Sequence, residues 1–292
     1  SQNRRRRFNG TDVAQVIFDR IVEQAVSHGL VDGTVLYTDS THLKANANKG
    51  KYDLQMLQKS RADYWDELDR SIEAERAAHG QKPLKEKERA PEVKETKVSR
   101  SDPDSGYMVR DGKPKGFFYL DHRTVDGRHA IITDTHVTPA NVHDSQPYLA
   151  RLDRQSQRFN LNPYAVGLDA GYFTPMICQG LEDRLIAGVM GYRRPNHKDG
   201  YFYKREYIYD AASDTYICPH YQQIPYKTTS RAGYREYHSD PDLCTSCPGR
   251  DRCTQSANRV KVIVRHIWED AKARVDARRL TPAGKKIRSA TT

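Results

Sequence analysis

FFYLDHRTVDGRHAIITDTHVT, residues 117–138, holds two β-prone runs on either side of Asp126-Gly127. Apolar and β-branched residues recur along both runs, and Asp-Gly suits a tight type I′ turn, so the stretch predicts an antiparallel hairpin. Asp121 and Asp134 lie inside its strands, and one or both are expected to face solvent. Downstream, residues 144–155 read as a helix. YAVGL, residues 164–168, reads as a short buried strand that ends on Asp169. Thr174 and Pro175 cap and start a further helix, expected to stop near Gly188, and VMGY follows as a strand.

Upstream, Thr11 or Asp12 can cap a helix in which Val13, Val16, Ile17, Ile21, Val22 and Ala25 recur at helical spacing up to Gly29. Asp32-Gly33 then turns the chain into a strand, Thr34 to Thr38, with Asp39 at its end. Leu54, Leu57, Tyr64, Trp65, Leu68 and Ile72 predict a long helix from 53 to about 79. Residues 80–105 are charged, broken by Pro, and read as a linker or exposed loop.

A strand, a helical insert, two hairpin strands, then alternating helices and strands make a mixed α/β sheet. An antiparallel hairpin followed by crossover helices is the plan of a ribonuclease H-like core. The expected organisation is an N-terminal helix and first core strand (1–52), a helical and charged insertion (53–105) and the rest of the core (106–199). A small Cys-containing β-rich insertion (200–265) and a C-terminal helix with a basic tail (266–292) complete it.

Asp39 and Asp169 are each the first acidic residue after an apolar strand. Ligands of open α/β sheets gather at the carboxyl ends of strands. Two carboxylates in one crevice repel, and a hard divalent cation relieves that repulsion. Mg²⁺, or Mn²⁺ in its place, is the expected ion, and phosphodiester displacement is the chemistry such a site can do. Taken singly, each aspartate also reads as an ordinary turn or cap residue. His143 and Asp144 follow a strand and can line the same crevice, although Asp144 also reads as a helix cap.

The 292 residues carry 48 basic and 38 acidic side chains, a formal charge of +10 that favours a polyanionic partner. No apolar run is long enough to span a membrane, and SQNRRRRFNG has no apolar core behind its arginines. The sequence opens on a charged run without Met, so an upstream segment is expected. Arg4 to Arg7, and Arg193, Arg194, Lys198, Lys204 and Arg205 among Tyr192, Tyr201, Tyr203, Tyr207 and Tyr209, can meet phosphates and stack on bases. The same tyrosines can equally pack one face of a solvated hairpin.

Five cysteines is an odd number for a chain with no export signal, so metal ligation or buried thiols are more natural than disulfides. Cys218, Cys244, Cys247 and Cys253 give C-x25-C-x2-C-x5-C, a pattern able to bind structural Zn²⁺. His220 or His238 could replace a thiolate, and four reduced thiols at turns is the plainer alternative. Cys178 falls on an apolar helix face and reads as a core thiol.

TDSTHLKANANK, SGYMVRDGKPKGFFYLDHRTVDGRH, THVTPANVHDSQPYL and VGLDAGYFTP together resemble the DDE transposases of bacterial insertion sequences, through nearly the whole chain. The resemblance implies a ribonuclease H-like core that binds Mg²⁺ through Asp, Asp and Glu, cuts DNA at transposon ends and joins the 3′-hydroxyl to target DNA. Asp39 and Asp169 would be the two catalytic aspartates. It also implies double-stranded DNA as partner, a homodimer as a candidate assembly, and a cytoplasmic, nucleoid-associated bacterial protein. The third acid departs from the pattern. Its helix should begin near LTPAGKKIRSATT, and the sequence stops there, which reads as a C-terminal truncation. Glu269 is the best internal candidate but arrives early, and Glu206 and Glu236 fall in the β-rich insert. A transposase short of one acid is therefore expected. The alternatives are a DNA-binding remnant without catalysis and a zinc-stapled nucleic-acid adaptor.

Overall fold

The computed structural model describes residues 8, 10–58, 62–85, 93–110, 112, 114–192 and 197–289. The arginine run 4–7 and Arg193 and Arg194 lie outside the described residues. The chain divides into two compact units: residues 1–58, 93–192 and 271–292 form the first, and 59–92 with 193–270 the second.

The first unit is built on a mixed sheet. Its central strand β1 (Val35–Lys44) pairs antiparallel with β5 (Gly116–Asp126) and parallel with β7 (Ala165–Leu168). β6 (Ile132–Pro139) pairs antiparallel with β5, and β8 (Ala187–Met190) pairs parallel with β7. The spatial order β6-β5-β1-β7-β8 is the ribonuclease H-like α/β plan expected from the element order. A short strand β4 (Gly106–Met108) joins the far end of β5. There Gly106 has no room for a side chain, because a Cβ would stand 2.5 Å from the backbone nitrogen of Ala140. That close approach fixes the start of the loop that carries Asp144.

Helix α1 (Val13–Ser27), helix α3 (Tyr148–Phe159) and helix α4 (Pro175–Asp183) supply the core with Val22, Leu152, Phe159, Ile177 and Leu181, packed on Leu36, Val166 and Leu168 of the sheet. Cys178 is fully buried there, as its helical position suggested. Thr174 caps α4 by accepting the Ile177 N–H, and Pro175 starts it. α1 ends where Gly29 takes a left-handed φ of 68°, which Gly adopts without strain.

Several expectations need correction. Val16, Ile17 and Ile21 lie on the exposed side of α1; Val22 and Ala25 face the core instead. Neither Thr11 nor Asp12 caps that helix through its side chain; Thr11 bonds back to the Phe8 carbonyl. β1 does not stop at Thr38 but runs to Lys44, because β5 continues to pair with it. The hairpin turn is longer than two residues: Asp126 N bonds Ile131 O, and Ala130 takes the left-handed conformation. Asp126 is drawn inward to accept the Gly33 N–H at 2.9 Å, which holds the turn against the entry to β1. Asp121 and Asp134 do not face solvent. Both are buried, Asp121 paired with Arg123 and Asp134 with Arg151 and Arg154. α3 starts at Tyr148, four residues later than read. α4 ends at Asp183, and Gly188 lies inside β8.

Residues 53–58 are also not helical. β2 (Tyr52–Gln58) pairs antiparallel with β3 (Val93–Ser99), so part of the supposed linker is a strand. The helix of this region, α2 (Ala62–Ala78), belongs to the second unit, with Leu68 and Ile72 fully buried. There it meets a five-stranded antiparallel meander: β9 (Ile208–Asp210), β10 (Thr215–Ile217), β11 (Gln223–Thr229), β12 (Tyr234–His238) and β13 (Val262–His266). Arg76 of α2 donates to the Thr229 carbonyl, and Glu75 pairs with Arg235 at 2.8 Å. Asp214 accepts from the hydroxyls of Tyr209 and Tyr237 and bonds His79. Two of the tyrosines considered for base stacking are thus structural. Tyr207 is buried in the core of the meander and Tyr209 packs against it. Tyr203 remains exposed, stacked on His197 with Arg205 over its ring.

Candidate active site

β1 and β7 run parallel, and their last paired residues are Thr38 and Leu168. Asp39, inside β1, and Asp169, the first residue after β7, come next along each segment. Neighbours in parallel register share a face, so the two carboxylates leave the sheet side by side. The alternation along β1 turns Leu36, Thr38 and Ser40 to the other face, toward the core network. Both aspartates are exposed. Each uses Oδ1 on a nearby backbone N–H: Asp39 accepts from Ser40 at 2.7 Å and Asp169 from Gly171 at 2.8 Å. The second contact caps the 3₁₀ turn Ala170–Tyr172, which gives Asp169 a fixed orientation.

The carboxyl of Asp169 is held above the usual range. Withdrawal from water is the main cause; the Gly171 N–H works against it, and the charges of Asp144 and Asp39 add to it. Three carboxylates therefore act on one region. Asp144 comes from the loop after β6, is only 8 % exposed, and its Oδ1 lacks a hydrogen bond, with Arg110 Nη2 at 3.6 Å. It does not cap α3, whose N-cap is Pro147. Position after a strand was the sequence signal for Asp144; its burial beside Asp169 was not readable.

Behind the pair, Ser40 bonds His122 Nδ1 at 3.0 Å and the Tyr172 hydroxyl at 2.9 Å, and His122 Nε2 meets Thr138 at 2.9 Å. His122 is fully buried and its pKa is pushed down to about 4, by burial first and by Arg151 next. It is therefore neutral at pH 7. The unfolded chain takes up this proton near pH 6.5. Stability held above that pH is lost as pH falls from about 6.5 to about 4, by up to roughly 3 kcal/mol. Urea unfolding across that range should show the loss, and His122→Asn should flatten the dependence.

Among the described residues, no group of three or more His, Cys, Asp and Glu side chains is already set to hold a metal ion. The donor chemistry of Asp39 and Asp169 nevertheless fits a hard divalent cation: two exposed carboxylates, one of them disfavoured as an anion by burial and by its neighbours. Of the other acids considered, Glu206 accepts the Tyr203 N–H, Glu236 lies 3.5 Å from His238, and Glu269 lies 3.8 Å from Lys204, all within the second unit. Cys218, Cys244, Cys247 and Cys253 come together around one pocket of that unit, all as free thiols.

The sheet order defines an α/β protein of ribonuclease H-like plan, with Asp39 and Asp169 on neighbouring segments of its centre. Residues 217–292 match the family model for the transposase DDE domain, which supports a DDE transposase. The match covers strands β11 to β13 of the meander, Cys218, Cys244, Cys247 and Cys253, and the C-terminal helices α7 (Glu269–Arg278) and α8 (Pro282–Ser289); Asp39 and Asp169 lie outside it. Searches of curated proteins and of solved structures each gave no match. Among the described residues, no helix is long and apolar enough to cross a membrane.

Proposed function

We propose that this chain is an insertion-sequence transposase in which Asp39 and Asp169 hold Mg²⁺ or Mn²⁺ for cleavage and joining of DNA strands. The observation that carries the reading is the parallel pairing of β1 with β7, whose register brings the two aspartates to adjacent positions. When bound there, the cation would activate the attacking oxygen and stabilise the leaving one at the scissile phosphate. The chain's own part is orientation. The Ser40 and Gly171 N–H groups fix one oxygen of each carboxylate, and the His122–Ser40–Tyr172 network holds β1 behind them.

Double-stranded DNA, as transposon ends and target, is the partner this reading requires, and the formal charge of +10 suits it. A homodimer and a nucleoid location in a bacterial cytoplasm belong to the same reading. The acids assigned fall short of the Asp, Asp and Glu set, so residues 1–292 alone should bind Mg²⁺ weakly and nick DNA slowly. That shortfall favours a second reading, a DNA-holding chain without catalysis. Nicking of supercoiled plasmid separates the two. Slow Mn²⁺-dependent nicking supports the enzyme, whereas DNA binding with no nicking at saturating Mn²⁺ supports the second reading.

A further inference from the structure

We infer that Cys218, Cys244, Cys247 and Cys253 together hold one Zn²⁺ ion that staples the outer loop of the second unit. The loop gives the physical reason. Between Asp240 and Lys261 only Gly249 is buried, so this stretch has almost no apolar core of its own. Two short helices, α5 (Pro241–Thr245) and α6 (Arg250–Cys253), nevertheless form there, each far too short to persist alone. A cross-link to the meander would hold them, and all four cysteines line the pocket where such a link would form.

The backbone around the sulfurs is already shaped for an anion. Cys218 leaves β10 into a tight loop closed by its own N–H on the Gln222 carbonyl at 2.9 Å. The Gln222 N–H returns to Cys218 Sγ at 3.3 Å, a donor that would stabilise a thiolate. Cys244 and Cys247 sit one turn apart, at the end of α5 and just beyond it, and Cys253 closes α6. Cys253 Sγ also meets the Tyr207 hydroxyl at 3.2 Å, tying it to the core of the meander. Four thiolates around Zn²⁺ leave two negative charges, and Arg250 and Lys261 line the same pocket. Among the described residues the four sulfurs do not yet stand as a metal-binding group, so binding would require them to draw together within the pocket they line. This inference does not depend on Asp39 or Asp169.

The test uses the full chain, stripped with a chelator and titrated with Co²⁺. One equivalent should produce the thiolate charge-transfer band and visible ligand-field bands of a tetrahedral sulfur site, and Zn²⁺ should bleach them. Cys247→Ser should weaken Zn²⁺ by at least about 100-fold. Cys178→Ser, in the core of the other unit, should leave affinity unchanged. A Co²⁺ titration of the unaltered chain without a thiolate band overturns the inference whatever the variants do. Equal affinity in Cys247→Ser and the unaltered chain also overturns it.

Discussion

Asp39→Asn and Asp169→Asn should each lower Mn²⁺-dependent strand nicking by about 10³-fold or more, while the fold stays intact. Each change removes half of a two-carboxylate site and leaves the shape of the side chain nearly unaltered. Both residues are exposed, so neither anchors the core. The effect on stability even has the opposite sign to the effect on activity. Asp169 is harder to ionise in the folded chain than in the unfolded one, so the unfolded state loses its proton first. Stability is therefore given up as pH rises through that interval. Removing either charge relieves this, and the metal-free variants should unfold at the same urea concentration as the parent or a slightly higher one. A variant that loses activity together with its cooperative unfolding would point to a structural aspartate. Equal activity in variant and parent would remove that residue from the site.

The largest stability effect should come from Arg151. It lies on α3, 3 % exposed, and its Nε donates to Asp134 of β6 at 2.7 Å, with Asp134 itself 4 % exposed. Arg154 Nη2 reaches the other oxygen at 3.0 Å. Arg151→Met would leave the Asp134 carboxylate buried with only the half-exposed Arg154 to pair with it, a loss of about 3–5 kcal/mol. A buried pair need not be worth that much as a pair, since its desolvation offsets much of the attraction. Arg151→Met combined with Asp134→Leu should therefore recover a large part of the loss. A double-mutant cycle by urea unfolding measures this directly. Additive losses in the cycle would mean that the two side chains do not act together, and that other contacts hold α3 on the sheet.

The sheet was legible in the sequence because period-2 patterning, Asp-Gly and short apolar runs are local signals. Its errors came where a partner distant in sequence decides. Asp134 looked like a solvent-facing strand residue because Arg151 reaches it from a helix 17 positions on. Leu54 and Leu57 fit a helical stripe, but pairing with Val93–Ser99 makes their segment a strand. The turn at Asp126 departs from type I′ because Gly33, 93 positions away, takes the aspartate's carboxylate. On α1, Val16, Ile17 and Ile21 repeat at helical spacing, yet the core takes up the Val22 and Ala25 side. Periodicity identified the helix but not which side of a broad apolar surface would be covered.

The candidate site was legible for the same local reason: each aspartate follows a short apolar run of sequence. That the two strands are neighbours was only a condition of that reading, and the parallel pairing of β1 with β7 meets it. Asp144 was only half legible, since a residue in a loop reveals neither its burial nor its neighbour. The cysteines could be grouped by spacing alone, but not their meeting around one pocket beside a loop with almost no core.

The most direct measurement is an anomalous difference map from crystals of this chain soaked in Mn²⁺. The expected result is a peak between Asp39 and Asp169, with a carboxylate oxygen from each within about 2.2 Å of it. A well-ordered pair with no peak between them, or with Mn²⁺ on one aspartate and turned away from the other, would contradict a cation site shared by Asp39 and Asp169.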